Sequence, residues 1–133
     1  MKIAVSAMGT TLDTEIDPRF GRCQYFIIVD PDTMEFEALE NSGAMAGGGA
    51  GISTAQTIAG KSIEAVLTGN CGPNAYQVLS AAGVKVVTDV SGKVGDAIQS
   101  YKSGKLKASS QPNVAGHFGI GRGTGSGRGM GRR

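Results

Sequence analysis

Apolar residues in the first forty positions are spaced as in β-strands. Residues 2–7 are a short, mostly apolar run, residues 24–30 are rich in aromatic and β-branched side chains, and residues 34–40 alternate apolar with acidic side chains. The intervening Pro31-Asp32-Thr33 is typical of a turn. The pattern therefore predicts a first strand followed by an antiparallel hairpin near a sheet edge.

After the predicted hairpin, the apolar spacing becomes helical and alternates with short strands. A glycine-rich run, 47–51, precedes the first helical stretch, and Gly83 and Gly104 are placed as helix stops. The resulting order, β-β-β-α-β-α-β-α, predicts an α/β fold in which helices cover a mixed sheet. The predicted helices span 52–59, 73–82 and 94–101, and the predicted fourth and fifth strands span 65–67 and 84–87.

Length and composition are those of one small folded domain. The chain has 133 residues, of which 40% are hydrophobic, enough for a single core. No apolar run reaches the length that spans a bilayer, and the first residues lack the pattern of a cleaved signal peptide. Two cysteines are too few for a disulfide framework. We therefore expect a soluble cytoplasmic protein with free thiols and no membrane partner.

The charge is distributed unevenly along the chain. The formal charge is +2, but four arginines lie after residue 121 and no acidic residue follows Asp96. Without those arginines the rest of the chain carries about −2, which argues against a basic nucleic-acid-binding body. The apolar period also ends near residue 105 and glycine dominates from 116 onward. This pattern predicts a domain over 1–107 and a flexible, Gly/Arg-rich tail over 108–133.

The segment Thr68-Gly69-Asn70-Cys71-Gly72-Pro73-Asn74-Ala75 is the strongest candidate for a ligand site. It lies between a predicted strand and a predicted helix, and proline suits the first helical position because its missing N–H would be unpaired there. Helix N-termini present free N–H groups and a positive dipole end. We therefore expect the Cys71 thiol to lose its proton easily and to lie where an anionic, sulfur-rich ligand binds.

Several motifs in order resemble one known protein family. The resemblance covers roughly residues 1–107 and is to the dinitrogenase iron–molybdenum cofactor-binding family, which includes NifX-like proteins and the C-terminal domain of NifB. The motifs that carry it are Arg19-Phe20-Gly21-Arg22-Cys23-Gln24-Tyr25-Phe26 with Val29-Asp30, Gly48-Gly49-Ala50-Gly51-Ile52 with Ala55-Gln56, the segment 68–75, and Ala82-Gly83-Val84-Lys85-Val86.

The resemblance implies a ribonuclease-H-like fold, with a five-stranded mixed sheet flanked by helices. It also implies a protein that binds or carries an iron–sulfur or molybdenum–iron–sulfur cofactor without catalytic turnover. One departure matters, because the family's common His-Phe-Gly is here Arg19-Phe20-Gly21. Arginine cannot ligate a metal but can donate hydrogen bonds to an anion. A His-Phe-Gly does occur at His117, within the tail, where we interpret it as coincidence.

Two sets of candidate residues follow. Thiolates suit iron–sulfur chemistry, arginines and helix N-termini suit anions, and the glycine run 47–51 is a second candidate anion site. Whether the two thiols share a site depends on strand order, which the spacing does not define. The candidate cofactor-binding residues are Arg19, Phe20, Gly21, Arg22, Gly49, Gly51, Gly69, Asn70, Gly72 and Asn74, and the candidate metal ligands are Cys23 and Cys71.

Each of these features also has a purely structural interpretation. The cysteines are equally typical of buried packing residues, and the arginines of surface partners for Asp13, Glu15 or Asp17.

Three classes of function remain open. A non-catalytic carrier that receives a cluster from an assembly protein and passes it on is favoured, with an iron–sulfur-assembly type ATPase as a partner by family analogy. The alternatives are an interaction or regulatory protein acting through its tail on protein or RNA, and a phosphate-ligand enzyme. The enzyme is disfavoured because nothing resembles a nucleophile–base pair, and because the acidic residues concentrate in the loop at 13–17 and on the hairpin, where Glu35 and Glu37 alternate outward.

Overall fold

A computed structural model describes residues 2–41 and 50–108. The elements follow the predicted order, β-β-β-α-β-α-β-α. The strands are β1 (Lys2–Ala7), β2 (Tyr25–Val29), β3 (Phe36–Glu40), β4 (Ile63–Leu67) and β5 (Lys85–Val87), and the helices are α1 (Ala50–Ala59), α2 (Pro73–Ala81) and α3 (Val94–Lys102).

The five strands form one mixed sheet in the order β3-β2-β1-β4-β5. β1 pairs antiparallel with β2, and β2 antiparallel with β3, so the predicted hairpin lies at a sheet edge as expected. β1 pairs parallel with β4, and β4 parallel with β5. The chain therefore leaves β1 toward one edge of the sheet and later returns to build the other. The carboxyl ends of β1, β4 and β5 share one rim.

Two hydrophobic cores cover the two faces of the sheet. On one face, Ala55 and Ile58 of α1 and Leu79 of α2 pack with Phe26 and Val66. On the other face, Ile98 of α3 packs with side chains of β1 and β2. Side chains alternate between faces along a strand, so each buried strand serves both cores.

The structure confirms the predicted mixed α/β architecture, with small shifts of element boundaries. α1 begins at Ala50, two residues before the predicted start, and β4 begins at Ile63. Within 2–41 and 50–108, no helix is long and apolar enough to cross a bilayer. The predictions for Gly49, for most of the glycine run and for the tail with His117 fall on residues outside the described part of the chain.

Candidate functional site at the sheet rim

Two segments that are distant in sequence meet at the carboxyl-end rim. The Phe20 N–H donates to the Asn70 carbonyl oxygen at 3.2 Å, and the Asn70 N–H donates to the Pro18 carbonyl oxygen at 2.8 Å. Residues 19 and 70 thus pair as in a parallel bridge. The Arg19-Phe20-Gly21 motif and the segment 68–75 are therefore neighbours, and they lie beside the start of α2. We call this region, residues 18–23 and 69–74, the rim site.

The space between β1 and β4 is closed at this rim by the chain itself. The Ser6 hydroxyl donates to the Asp17 carbonyl oxygen at 2.7 Å and lies 2.8 Å from the Thr68 hydroxyl, and all three residues are buried. Open α/β sheets bind ligands at such a point, where successive connections run in opposite directions. Here residues 16–20 occupy it. A ligand at the rim site would therefore contact the outer surface of these loops.

Arg19 has a structural partner. The buried Asp17 carboxylate, 2% exposed, accepts hydrogen bonds from Arg19 Nε at 3.1 Å, Arg19 Nη2 at 3.2 Å and the Arg19 backbone N–H at 2.9 Å. The Arg19 side chain is 62% exposed, and the Asp17 hydrogen bond and charge raise its pKa. The surface pairing considered from the sequence is thus present for Arg19. Nη1 takes no part in this ion pair.

Cys23, the last residue of the first rim-site segment, is fully buried in a hydrogen-bonded environment. Its Sγ lies 3.4 Å from the Phe20 carbonyl oxygen and 3.7 Å from Asn41 Nδ2. Asn41 Nδ2 also donates to the Cys23 carbonyl oxygen at 2.9 Å, and its Oδ1 accepts from the Thr54 hydroxyl at 3.1 Å. Burial, followed by the negative charge of Asp17, raises the Cys23 pKa to about 12. Its thiol is therefore protonated at neutral pH.

The expectation of an easily ionised Cys71 is wrong. Cys71 does precede α2, with Gly72 at the N-cap and Pro73 in the first turn, as predicted. Its side chain, however, is only 1% exposed, and burial raises its pKa to about 12. The desolvation of a thiolate at this position outweighs the stabilisation that the helix dipole offers.

The two thiols belong to the same hydrophobic core, the one that α1 and α2 cover. Neither cysteine is in a disulfide. Among the described residues, no three His, Cys, Asp or Glu side chains group in a way that could hold a metal ion. The rim site thus brings the candidate ligands into one region but does not present them to solvent.

Comparison with known proteins agrees with this fold. Residues 1–104 match the sequence profile described as dinitrogenase iron-molybdenum cofactor. The chain belongs to this family. The resemblance seen in the sequence is thereby confirmed.

Three relatives show how far the family likeness extends. The apo form of the orange protein from Desulfovibrio gigas is 42% identical, with a TM-score of 0.81 over 84% of this chain and 95% of that one. A candidate NifB protein from Thermotoga is 36% identical, with a TM-score of 0.69 over 80% of this chain and 91% of that one. An uncharacterized protein from Methanocaldococcus jannaschii is 29% identical over 111 residues, which are 80% of this chain and 94% of the relative.

The other candidate residues divide into exposed and packing positions. Arg22 and Asn74 are exposed, and Gly21, Asn70 and Gly72 are half-buried. Phe20 is buried and its ring packs edge-on against Phe26, with centroids 5.4 Å apart. Gly69 is buried against Pro18, so the backbone of Gly69 lies close to another loop of the chain and not to a ligand position. Gly51 lies in the first turn of α1, where an added Cβ would lie 3.7 Å from the Ala75 Cβ.

Sequence reasoning missed two residues that hold the rim site in place. The Thr54 hydroxyl of α1 donates both to the Gly21 carbonyl oxygen, at 3.3 Å, and to Asn41 Oδ1. Asn41 Nδ2 donates to the same Gly21 carbonyl oxygen, also at 3.3 Å. These bonds tie residues 21–23 to α1 and to the end of β3. In the sequence, the only signals of this role were an asparagine directly after a predicted strand (Asn41) and a threonine on an apolar helix face (Thr54).

Both thiols should resist alkylation in the native protein. Because thiolates are the reactive species and both thiols are buried and protonated, we expect iodoacetamide at pH 7.5 to label them about 100-fold more slowly than in denaturant. Mass spectrometry of quenched samples measures the rates, and the same protein in urea is the control. Rapid native labelling of Cys71 would contradict its burial and restore the expectation from the helix dipole.

Proposed function

We propose that the protein is a non-catalytic carrier that holds an anionic metal–sulfur cluster at the rim site and passes it on. The observation that carries this proposal is the pairing of residues 18–20 with Asn70, because it joins the Arg19-Phe20-Gly21 motif to the loop that precedes α2. Family membership supports a cofactor of the iron–sulfur or iron–molybdenum class.

Close-range hydrogen bonds would hold this cargo. Gly72 at the N-cap makes no side-chain capping bond, so the N–H groups of Asn74 and Ala75 have no acceptor within the helix. The rim site contains two arginines, Arg19 and Arg22, and two acidic residues contact it. Asp17 pairs with Arg19, and the Asp89 N–H donates to the Gly69 carbonyl oxygen at 2.8 Å. The net charge is therefore near zero. Local donors, rather than a long-range field, would select the anion.

The buried thiols fit a second, inner role. Cys23 and Cys71 can ligate only after losing their protons and after the loops above them move, because both are buried and have pKa values near 12. Loading at the surface donors thus precedes any thiolate ligation. A cargo held mainly by hydrogen bonds leaves readily, as a carrier requires.

A partner must deliver and accept this cargo. By analogy with the family, we propose a cluster-assembly or cluster-accepting protein, with an iron–sulfur-assembly type ATPase as one candidate, in the cytoplasm. The strand order β3-β2-β1-β4-β5, in which β2 alone runs opposite to the other four strands, supports the ribonuclease-H-like assignment.

Arg22→Gln should weaken cluster loading with little effect on the fold. Arg22 is exposed, so its loss removes a charged donor from the rim site while the ion pair between Arg19 and the buried Asp17 stays in place. A charge-assisted hydrogen bond lost from binding predicts about a tenfold weaker association. Anaerobic titration with a synthetic thiomolybdate or iron–sulfur cluster, followed by visible absorption and metal analysis, measures it.

Two matched variants control for net charge. Lys85→Gln removes the same charge from β5, which starts at the opposite rim, and should load as the wild type does. Asp89→Asn changes charge by the same amount in the other direction and should not weaken loading. Equal loading by Arg22→Gln, Lys85→Gln and wild type would contradict a cluster held at the rim site. Loading abolished only by Cys71→Ser would instead make the thiol the principal ligand.

A further inference from the structure

Within the described part of the chain, one edge of β3 has no partner strand. It is the last strand of the sheet, and among the described residues it pairs with β2 alone. The Asp30 N–H donates to the Glu35 carbonyl oxygen at 2.9 Å, and the Asn41 N–H donates to the Gln24 carbonyl oxygen at 2.9 Å. Backbone groups alternate in direction along an antiparallel strand, so odd-numbered residues of β3 face β2. The N–H and C=O groups of Phe36, Ala38 and Glu40 therefore point outward along the edge.

This edge is acidic and partly apolar. Between residues 24 and 60 the chain has five acidic residues and no basic one. Glu35 and Glu37 share the sheet face of Leu39, whereas Phe36 and Ala38 lie on the other face, where Phe36 is 42% exposed. Free edges with unpaired backbone groups are templates for another extended segment. The charge of this edge favours a basic one.

A basic segment of the same chain begins within reach of this edge. After Asp96 the sequence has seven basic residues and no acidic one. The last described residues, 106–108, line a groove that extends from Lys85 and Val87 of β5 to Pro31 and Asp32, the turn just before β3. Residues 109–118 can span up to about 33 Å, and β3 is about 17 Å long. The residues beyond 118 can therefore reach any point on the β3 edge.

That segment also has the side-chain period of a strand. From 119 to 131 every odd-numbered residue is glycine, and the even-numbered positions include Arg122, Arg128 and Arg132. Because successive strand residues point to opposite faces, an extended conformation would place all its side chains on one face and glycines on the other. A segment patterned in this way suits an edge whose two faces differ, as those of β3 do.

We propose that residues 119–132 bind in extended form along the free edge of β3 in the same molecule, as a sixth strand. The glycines pair with the outward backbone groups of Phe36, Ala38 and Glu40, and the exposed Phe36 ring covers the glycine face. The arginines lie on the face of Glu35 and Glu37, where directly opposite residues of unlike charge attract. The negative charge of the β3 edge and the positive charge of residues 119–132 thus neutralise each other.

Hydrogen exchange of three backbone amides tests this proposal in the full-length chain. The amides of Phe36, Ala38 and Glu40 should be protected, and replacing Arg122, Arg128 and Arg132 together with serine should lower that protection about tenfold. The amides of Glu37 and Leu39 face β2 and serve as internal references, because their exchange should not change. NMR-detected exchange at low salt resolves the individual amides.

Control variants separate charge and location. Replacing the same three arginines with lysine keeps the charge and should keep most of the protection. Glu37→Lys should lower the protection, whereas Asp13→Lys, at an exposed acid in another loop, should not. Equal exchange of the three amides in wild type and the serine variant would overturn the proposal. Protection that grows with protein concentration, together with a dimer mass, would also overturn it by making a second copy the occupant.

Discussion

Gly69→Ala should destabilise the protein by about 1–3 kcal/mol, because a side chain at this position overpacks the rim site. A Cβ built on Gly69 would lie 2.8 Å from the Pro18 Cα, 3.0 Å from its Cβ and 3.1 Å from its carbonyl oxygen. Those neighbours are backbone and a rigid ring, so they cannot yield as a flexible side chain would. Separating the loops would also weaken the two hydrogen bonds between residues 18–20 and Asn70.

Gly51→Ala is the matched control. The same added methyl group would lie 3.7 Å from the Ala75 Cβ, an ordinary contact distance, and Gly51 lies within α1. Alanine favours a helix over glycine, so this variant should be as stable as the wild type or slightly more so. Urea unfolding followed by circular dichroism compares the three proteins. If Gly69→Ala unfolds at the wild-type midpoint, the segment 16–20 is not packed against the loop at 68–70 as the structure shows.

The fold was largely predictable because its signals are local. The alternation in 34–40 and the turn at Pro31-Asp32-Thr33 predict the hairpin. Pro73 indicates where α2 begins, because proline is favoured in the first turn of a helix. Such patterns act over a few residues, and the hydrophobic period extends them to whole elements. The confirmed order of elements follows from these local signals alone.

The rim site was less predictable because it depends on contacts between distant segments. The pairing of residues 18–20 with Asn70 joins loops about fifty positions apart, and no periodicity encodes it. The Asn41–Thr54 bond depends on where β3 ends relative to α1. Cys71 does lie before α2, as the helix-dipole argument assumed, but that argument did not take into account that its side chain is buried. Burial is a property of the whole fold and changes the direction of the pKa shift.

The position of Arg19 illustrates the same dependence. Its sequence neighbours allow an ion pair, an anion contact or both, and the structure places Nε and Nη2 on the buried Asp17 carboxylate. Arg19 therefore pairs with a buried carboxylate in the folded chain, which its sequence neighbours allow but do not require. Arg22, which is exposed, remains the better test of anion binding.

The protein should lose stability steeply as the pH rises from about 9 toward 12. Burial raises the pKa of Cys23 and of Cys71 from 9.0 to about 12, so the unfolded chain releases these protons first. The folded state then binds more protons than the unfolded state, and the free energy of unfolding falls with pH in this window. Each thiol contributes at most roughly 4 kcal/mol, which is fully present below pH 9. Urea unfolding midpoints measured at intervals of half a pH unit give the slope.

A double variant, Cys23→Ala with Cys71→Ala, isolates this effect. It should be less stable at pH 7 because it loses buried sulfur atoms, yet its stability should fall less between pH 9 and 11. Tyr101 titrates in the same direction in both proteins, since burial and its 2.8 Å hydrogen bond to Glu64 raise its pKa to about 12. The difference in slope between the two proteins therefore belongs to the thiols. Equal slopes would mean that the thiols ionise as readily in the folded protein as in the unfolded chain, and direct thiolate ligation at the rim site would then need no prior opening.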